Sequence, residues 1–444
     1  MTTYECNLHL VTDFIRQIRF LANDYKTDLL EIIKKFKTFP NKEKLNVNHK
    51  VSEMNVTDIL FLFDLIKTDR VDNYILFKYD LISMCSSDID YDDLWHIYDG
   101  LLVQMRGVIV DECDGNIISA PYYKFRNLNE CEEYSEKNVM KAIQKNGMKF
   151  EVTEKLDGSL IAASYDALNY RFVISTTGTI EGSEKASKGV QIACANKYIT
   201  ESMLEMFETY ANETFLFELI DPEDDHVINY KETGLFLHGI RSKVSGGLES
   251  SDTIEAIARI YDCKTTKRYN SKILSDYINK ANDDTDAKQE GYVINIDGWL
   301  IKLKFKEYLK LHNLKNIVQG NCDFRSIEEM VFDGSIDDII SKIEIEGLKN
   351  KIKAVVDKIL FYQKSMAETT QSFYDQIPDW VRVNKKEYAE CVNEMPRLYR
   401  RYLFQMNNEG IKADEINYCK RNHSYFRKNE FEKRYKEMMN EKDN

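Results

Sequence analysis

The chain has 444 residues, 43% of them hydrophobic and 30% charged, and a formal net charge of −13. This composition suits a soluble globular protein of two or three domains and excludes a disordered or fibrous one. The negative balance argues against a protein that coats nucleic acid through overall attraction, while leaving room for a local basic groove.

Apolar runs such as Ile59 to Ile66 are interrupted by charge and fall far short of the ~20 apolar residues that cross a bilayer, so no membrane span is expected. Glu5, Asp13 and Arg16 break the first stretch, which leaves no signal-peptide pattern. The nine cysteines form no Cys-x-x-Cys pair and the seven histidines no His-x-x-x-His spacing. Zinc clusters, a disulfide framework and the common zinc-hydrolase sites are thereby set aside, and a reducing cytoplasm is the expected compartment.

Residues 10–38 carry apolar positions at three- and four-residue steps and are predicted as helix, with a second helix from Val56 to Lys67 and a strand at Tyr74–Tyr79. Residues 1–73 are therefore read as an N-terminal helical extension. None of the 18 glycines precedes Gly100 and 14 lie from Gly100 to Gly298, which marks a turn-rich β region in the middle. Short strand-like runs recur there: Gly107–Val110, Phe150–Glu154, Leu160–Tyr165, Phe172–Thr176, Thr214–Ile220, Leu235–Arg241, Tyr292–Ile296 and Trp299–Phe305. Helices are expected between them at Ser187–Tyr198 and Thr200–Tyr210. After His312 the pattern turns helical, for example at Ile336–Ile343, Leu348–Tyr362 and Arg397–Gln405. The predicted class is α+β: a domain of antiparallel sheets with flanking helices at 74–312, then an all-helical domain at 313–444.

The chemistry centres on Glu154-Lys155-Leu156-Asp157-Gly158-Ser159-Leu160, between two strand-like runs. A lysine held beside a turn can attack a phosphorus centre if its amine is neutral, which requires a lowered pKa. Glycine lets the backbone pass close to a nucleotide, and the aspartate is placed to orient its neighbours. Taken alone, these residues fit a plain hairpin turn equally well. Further on, Glu290-Gly291-Tyr292-Val293 opens a strand and Asp297-Gly298 turns it back. Alternation on the return strand puts Lys302, Lys304 and Lys306 on one face, a row suited to a triphosphate or else a merely solvated face. Glu290 near phosphates is a candidate Mg²⁺ ligand. Glu218, inside the apolar run Thr214–Ile220, needs a partner: a ribose hydroxyl, a metal or a cross-sheet ion pair. Arg106 before Gly107, and Lys124 with Arg126, either bind phosphate or are ordinary surface charge.

In this order the segments resemble the covalent nucleotidyltransferase superfamily, and most closely the phage-type RNA ligase 1 family. Lys155-Leu-Asp-Gly is superfamily-wide, whereas Lys124-Phe-Arg-Asn-Leu-Asn-Glu and Tyr308 with Leu311-His312 are similar to that one family. The resemblance covers about Tyr74 to His312 and implies a nucleotidyltransferase fold with ATP and Mg²⁺ as cofactors. It implies Lys155 as the adenylylated nucleophile, Glu154, Asp157 and Gly158 as its neighbours in the nucleotide site, and Arg106 and Lys124 as ligands of AMP or RNA phosphate. Glu218 becomes a nucleotide contact, Glu290 a metal ligand, and Lys302 and Lys304 contacts of the α-phosphate region. The implied function is joining RNA 5′-phosphate and 3′-hydroxyl ends, in repair of cleaved RNA such as tRNA, by a monomer. A silent RNA-binding protein, a DNA ligase or a capping guanylyltransferase are the alternatives. One departure stands out: Thr177 takes the place before Gly178 where the family usually has a basic residue, so Lys185 or Lys188 is a possible substitute.

Overall fold

The structure is a computed structural model that describes residues 7–40, 43–184, 190–223, 226–270, 273–285, 288–318 and 346–416, with 336, 340 and 418. The apolar periodicity of residues 10–38 is divided between two helices, α1 (His9–Ala22) and α2 (Leu29–Phe36). Asn23, with φ of 48°, ends α1. The Asp24 carboxylate then accepts from the amides of Lys26 and Thr27, and Asp28 caps α2 through Leu30 and Glu31. Short acidic side chains that satisfy nearby amides offer the backbone an alternative to helix, and apolar spacing does not register that competition. The third helix, α3 (Val56–Asp64), starts at the Asn55 cap and stops short of Lys67, because a strand begins at Ile66.

Strands β1 (Ile66–Val71), β2 (Tyr74–Tyr79), β3 (Arg106–Asp111) and β4 (Ile117–Ser119) form an antiparallel sheet in that order. In β1 the buried position Asp69 replaces an expected apolar one; its carboxylate accepts from the Ile180 amide at 2.8 Å. Helices α1 to α3 share one core with this sheet. Phe14, fully buried, lies 5.9 Å from the Phe63 ring and 6.3 Å from Phe77. The same core continues through Tyr123 and Phe125 to Leu300, and so reaches the lysine-bearing strands.

Two more sheets complete this unit. One has the order β10 (Lys264–Thr265), β9 (Gly234–Ser242), β8 (Glu213–Ile220), β6 (Ser159–Asp166), β7 (Arg171–Ser175). The other runs β11 (Arg268–Tyr269), β5 (Glu151–Lys155), β12 (Gly291–Ile296), β13 (Trp299–Lys304). All their pairings are antiparallel except β9 with β10. Helices Val190–Asn196, Glu201–Thr209 and Ser251–Ile260 cover the first of the two, burying Ile192, Met206, Phe207 and Ile257 against Phe215 and Phe217. The chain leaves one sheet at Lys155 and enters the other at Ser159, so Leu156-Asp157-Gly158 is the seam between them.

The chain divides into two compact units, Met1–Asp284 with Lys288–Lys306 and Thr285–Ala287 with Glu307–Asn444. The C-terminal region is helical, with helices at Lys306–Val318, Glu346–Asp375, Asp379–Arg382, Lys385–Glu394 and Arg397–Glu409. Ile377, Val381, Tyr388, Val392 and Leu403 form a small core there. The helix expected at Ile336–Ile343 lies largely outside the described residues. No helix among the described residues is long and apolar enough to cross a membrane. Phe14→Ala is expected to cost about 3–5 kcal/mol by cavity formation, read by equilibrium urea unfolding. A cost below about 1 kcal/mol would mean that α1 is dispensable to the core of the sheet domain.

Candidate active site

Lys155 closes β5 directly across from Gly291 in β12, which in turn faces Lys304 in β13. Residues opposed across strands share a face, so two ammonium groups flank a position without a side chain. The Glu290 carboxylate fills that gap: Oε2 lies 2.8 Å from Lys155 Nζ and Oε1 lies 3.0 Å from Lys304 Nζ. Glu290 is only 3% exposed. Any side chain at Gly291 would meet backbone, since a Cβ there stands 2.2 Å from the Leu303 carbonyl oxygen. Next along the ladder, Thr153, Val293 and Lys302 align in the same way. Lys302 Nζ donates to the Phe125 carbonyl at 3.1 Å and lies 4.4 Å from the centre of its ring. Lys306, the third of the expected row, begins a helix and is exposed.

Asp157 is held by backbone and hydroxyl groups of the 227–230 segment. Its Oδ2 accepts from the amides of Val227 and Ile228 at 2.6 and 3.0 Å, and its own amide donates to the Tyr230 hydroxyl at 2.7 Å. The Gly158 amide donates to Glu218 Oε1 at 3.0 Å, and a Cβ on Gly158 would come within 2.3 Å of the Leu219 carbonyl oxygen. Glycine is thus required by the close approach of β8. Glu218 Oε2 lies 3.5 Å from His238 Nε2 on β9, at the outer limit of a hydrogen bond. Behind His238, the Tyr122 hydroxyl donates to its carbonyl at 2.9 Å and lies 3.1 Å from Nδ1. Gly239 leaves the space that Tyr122 occupies, since a Cβ there would fall 2.0 Å from the hydroxyl oxygen.

These groups surround a cavity of about 360 Å³ lined by Arg106, Lys155, Thr177, Glu218, His238 and Lys302, among others. Glu154 contributes to its wall, but alternation directs its side chain to the opposite face, beside Tyr292 and Lys267. Lys304 reaches the site through Glu290. Lys124 stands apart, 5.6 Å from the Trp95 ring in a neighbouring cleft that Arg126 also lines. Lys185 and Lys188 lie outside the described residues.

Charge and burial pull these groups in different directions. Burial pulls Lys155 down, yet Glu290, Glu218 and Asp157 outweigh it and hold the amine above the ordinary lysine value. The lowered pKa expected from the sequence is therefore not a property of the resting site; its carboxylates keep Lys155 charged. Lys302 behaves oppositely: burial lowers it strongly, and Arg106, Lys124, Lys155 and Lys304 add repulsion. Burial, reinforced by Glu290 and Asp157 against Lys155, pushes Glu218 up to about 7. His238 is driven down to about 3 by burial and by Lys155, so its ring is neutral.

Crowded carboxylates beside unbalanced cations are equipped to receive a phosphate chain together with a divalent cation. The oxygens of Glu218 and Glu290 are hard donors that suit Mg²⁺, and such a cation would offset the burial and the carboxylate repulsion that together hold Glu218 near 7. His238, Tyr122 and Tyr230 were not anticipated from the sequence. The available signal was a lone histidine before a glycine within the apolar run Leu235–Arg241.

A folded chain that retains the Glu218 proton up to about pH 7, against an ordinary 4.5, gains stability from it that is complete below 4.5 and is lost as pH rises toward 7. Glu218→Gln should flatten this part of the profile in thermal unfolding followed from acid to neutral pH. Parallel profiles for parent and variant would show that Glu218 titrates normally.

Residues 104–309 match the family model described as RNA ligase. RNA ligase 1 of bacteriophage TS2126 is 29% identical over 144 residues, 31% of this chain and 34% of that protein. The RNA ligase of Rhodothermus phage RM378 is 21% identical over 370 residues, covering 70% of this chain and 79% of its own. The chain thus spans about a third of the length of the first of these relatives. Among solved structures, Naegleria gruberi RNA ligase with PPi aligns over 43% of this chain and 57% of that one at 17% identity, with a TM-score of 0.34. Lys155, Glu218, Glu290, Lys302 and Lys304 all fall within the segment that matches the RNA ligase family model.

Proposed function

We propose that the protein is an ATP-dependent RNA ligase that joins an RNA 5′-phosphate to an RNA 3′-hydroxyl. The observation that carries this reading is a half-buried lysine amine in a cavity that Arg106 and Lys302 also line, sharing Glu290 with Lys304, inside a segment that matches RNA ligases.

In the first step Lys155 Nζ attacks the α-phosphorus of ATP; the N–P bond forms as the bond to pyrophosphate breaks. The amine must first give up a proton. At rest Glu290 holds Lys155 charged, so neutralising that carboxylate is what frees the nucleophile. Lys302 and Lys304 stabilise charge developing on the phosphates, where fixed cations in a buried site act most strongly. Among the described residues Lys302 is paired with no carboxylate, and a bound phosphate restores the charge that burial opposes. A divalent cation, Mg²⁺ in this reading, would be held by Glu290 and Glu218 and supplies further neutralisation of phosphate charge. In the second step an oxygen of the RNA 5′-phosphate attacks the same phosphorus and Lys155 leaves. In the third, an RNA 3′-hydroxyl attacks the 5′-phosphorus and AMP departs. Repair of cleaved RNA, tRNA included, in the cytoplasm and by a monomer completes the proposal.

Incubation with radiolabelled ATP and Mg²⁺ tests it. The parent should retain acid-labile AMP on the peptide containing Lys155, and Lys155→Ala should retain none. An adduct on Lys302, or no adduct in the parent, overturns the assignment. Lys304→Ala should slow adenylylation by about 10² to 10³, equivalent to about 3–4 kcal/mol. An unchanged single-turnover rate would remove Lys304 from the site.

A further inference from the structure

Lys78 is a half-buried lysine that none of the chemistry above uses. It is the penultimate residue of β2, with Arg106 as its partner on β3, and the ladder slips between Phe77 and Lys78. A slip of this kind re-aims a side chain. Here it brings the ammonium to the turn that carries Thr177 and Gly178: a Cβ on Gly178 would lie 3.5 Å from Lys78 Nζ. That turn is well fixed. Thr176 Oγ1 accepts from the amides of Gly178 and Thr179 at 3.2 and 3.1 Å, and Thr177 Cα would be 2.9 Å from a Cβ on Gly107.

Neither cation is paired with an acid among the described residues. Asp80, the acid nearest in sequence to Lys78, is held by Lys67 at 2.9 Å. Arg106 Nη1 is buried without a hydrogen-bond partner. Burial, Arg106 and Lys67 keep Lys78 below the ordinary lysine value, so its charge is maintained against repulsion with little to offset it. Arg106 and Thr177 line the nucleotide cavity, whereas Lys78 lies outside its lining. A group that touches Lys78 therefore extends beyond the nucleotide, on the side of β2 and β3.

Resting on the ligase reading, we infer that Lys78 and Arg106, beside the Thr177–Gly178 turn, form an anion subsite that holds the terminal 5′-phosphate of the RNA strand. A terminal phosphate is close to a dianion at neutral pH and offers three acceptor oxygens, which suits two converging cations better than an internal diester with its single charge.

The test uses the full chain without ATP and compares three versions of one fluorescent RNA: 5′-phosphorylated, 3′-phosphorylated and unphosphorylated. The parent should bind the 5′-phosphorylated strand about tenfold more tightly than the other two, as expected for a charge-assisted contact. Lys78→Met, which keeps the alkyl stem, should reduce that preference to about twofold or less, and Lys78→Arg should retain most of it. An undiminished preference in Lys78→Met overturns the inference, as does a parent that ignores the phosphate or binds the 3′-phosphorylated strand equally well. Lysyl-AMP formation on the same preparation is scored separately. Its absence would sink the ligase reading, while the end-binding result would still decide the subsite.

Discussion

The site depends on one carboxylate shared by two amines. Glu290 is buried, and burying a lone carboxylate is costly; the Lys155 and Lys304 ammonium groups offset that cost, one on each oxygen. The sharing is possible because Gly291 stands between the two lysines on the ladder and projects nothing toward them. Three strands and a glycine therefore convert a dispersed sequence pattern into a single ion-paired cluster.

That cluster is unevenly balanced, and its imbalance points to ligands. Around Lys155 the carboxylates outweigh burial and raise it; at Lys302 burial, reinforced by Arg106 and the neighbouring lysines, lowers it. Glu218 and His238 are both held toward their neutral forms, by burial first and by their neighbours second. An arrangement that only served stability would pair these charges off. Here the excess positive charge on the Lys302 and Arg106 side and the crowded carboxylates on the Lys155 side are complementary to a phosphate chain with a cation.

Much of this was legible in the sequence, and the exceptions have specific causes. Period-two runs located β2, β3, β5 to β9, β12 and β13 to within a few residues, because each buries a face that must be apolar. The same logic missed β1, where inward-pointing Asp69 is satisfied by a backbone amide from a distant turn. It also missed β10 and β11, which are two residues long and carry no period. Lys155, Glu290, Lys302 and Lys304 could be singled out as charged residues on or beside strands, but their pairing could not. Register between β5, β12 and β13 is set by long-range packing, so nothing local to Lys155 reveals that its partner is Glu290. His238 and Tyr122 were hidden for the same reason: their association is across more than 100 residues of chain.

The spacing of Lys155-Leu156-Asp157-Gly158 follows from geometry at the seam between two sheets. Lys155 must remain on β5 to lie in register with Gly291, whereas Ser159 must already pair with β8. Only the intervening residues can make the crossing. Leu156 is buried at the crossing, Asp157 anchors it by accepting two amides from Val227 and Ile228, and Gly158 passes β8 at a distance that no side chain tolerates. By holding the 227–230 segment, Asp157 anchors the crossing directly after Lys155 at the end of β5. A motif that reads as chemistry is, in three of its four positions, the construction that holds one amine still.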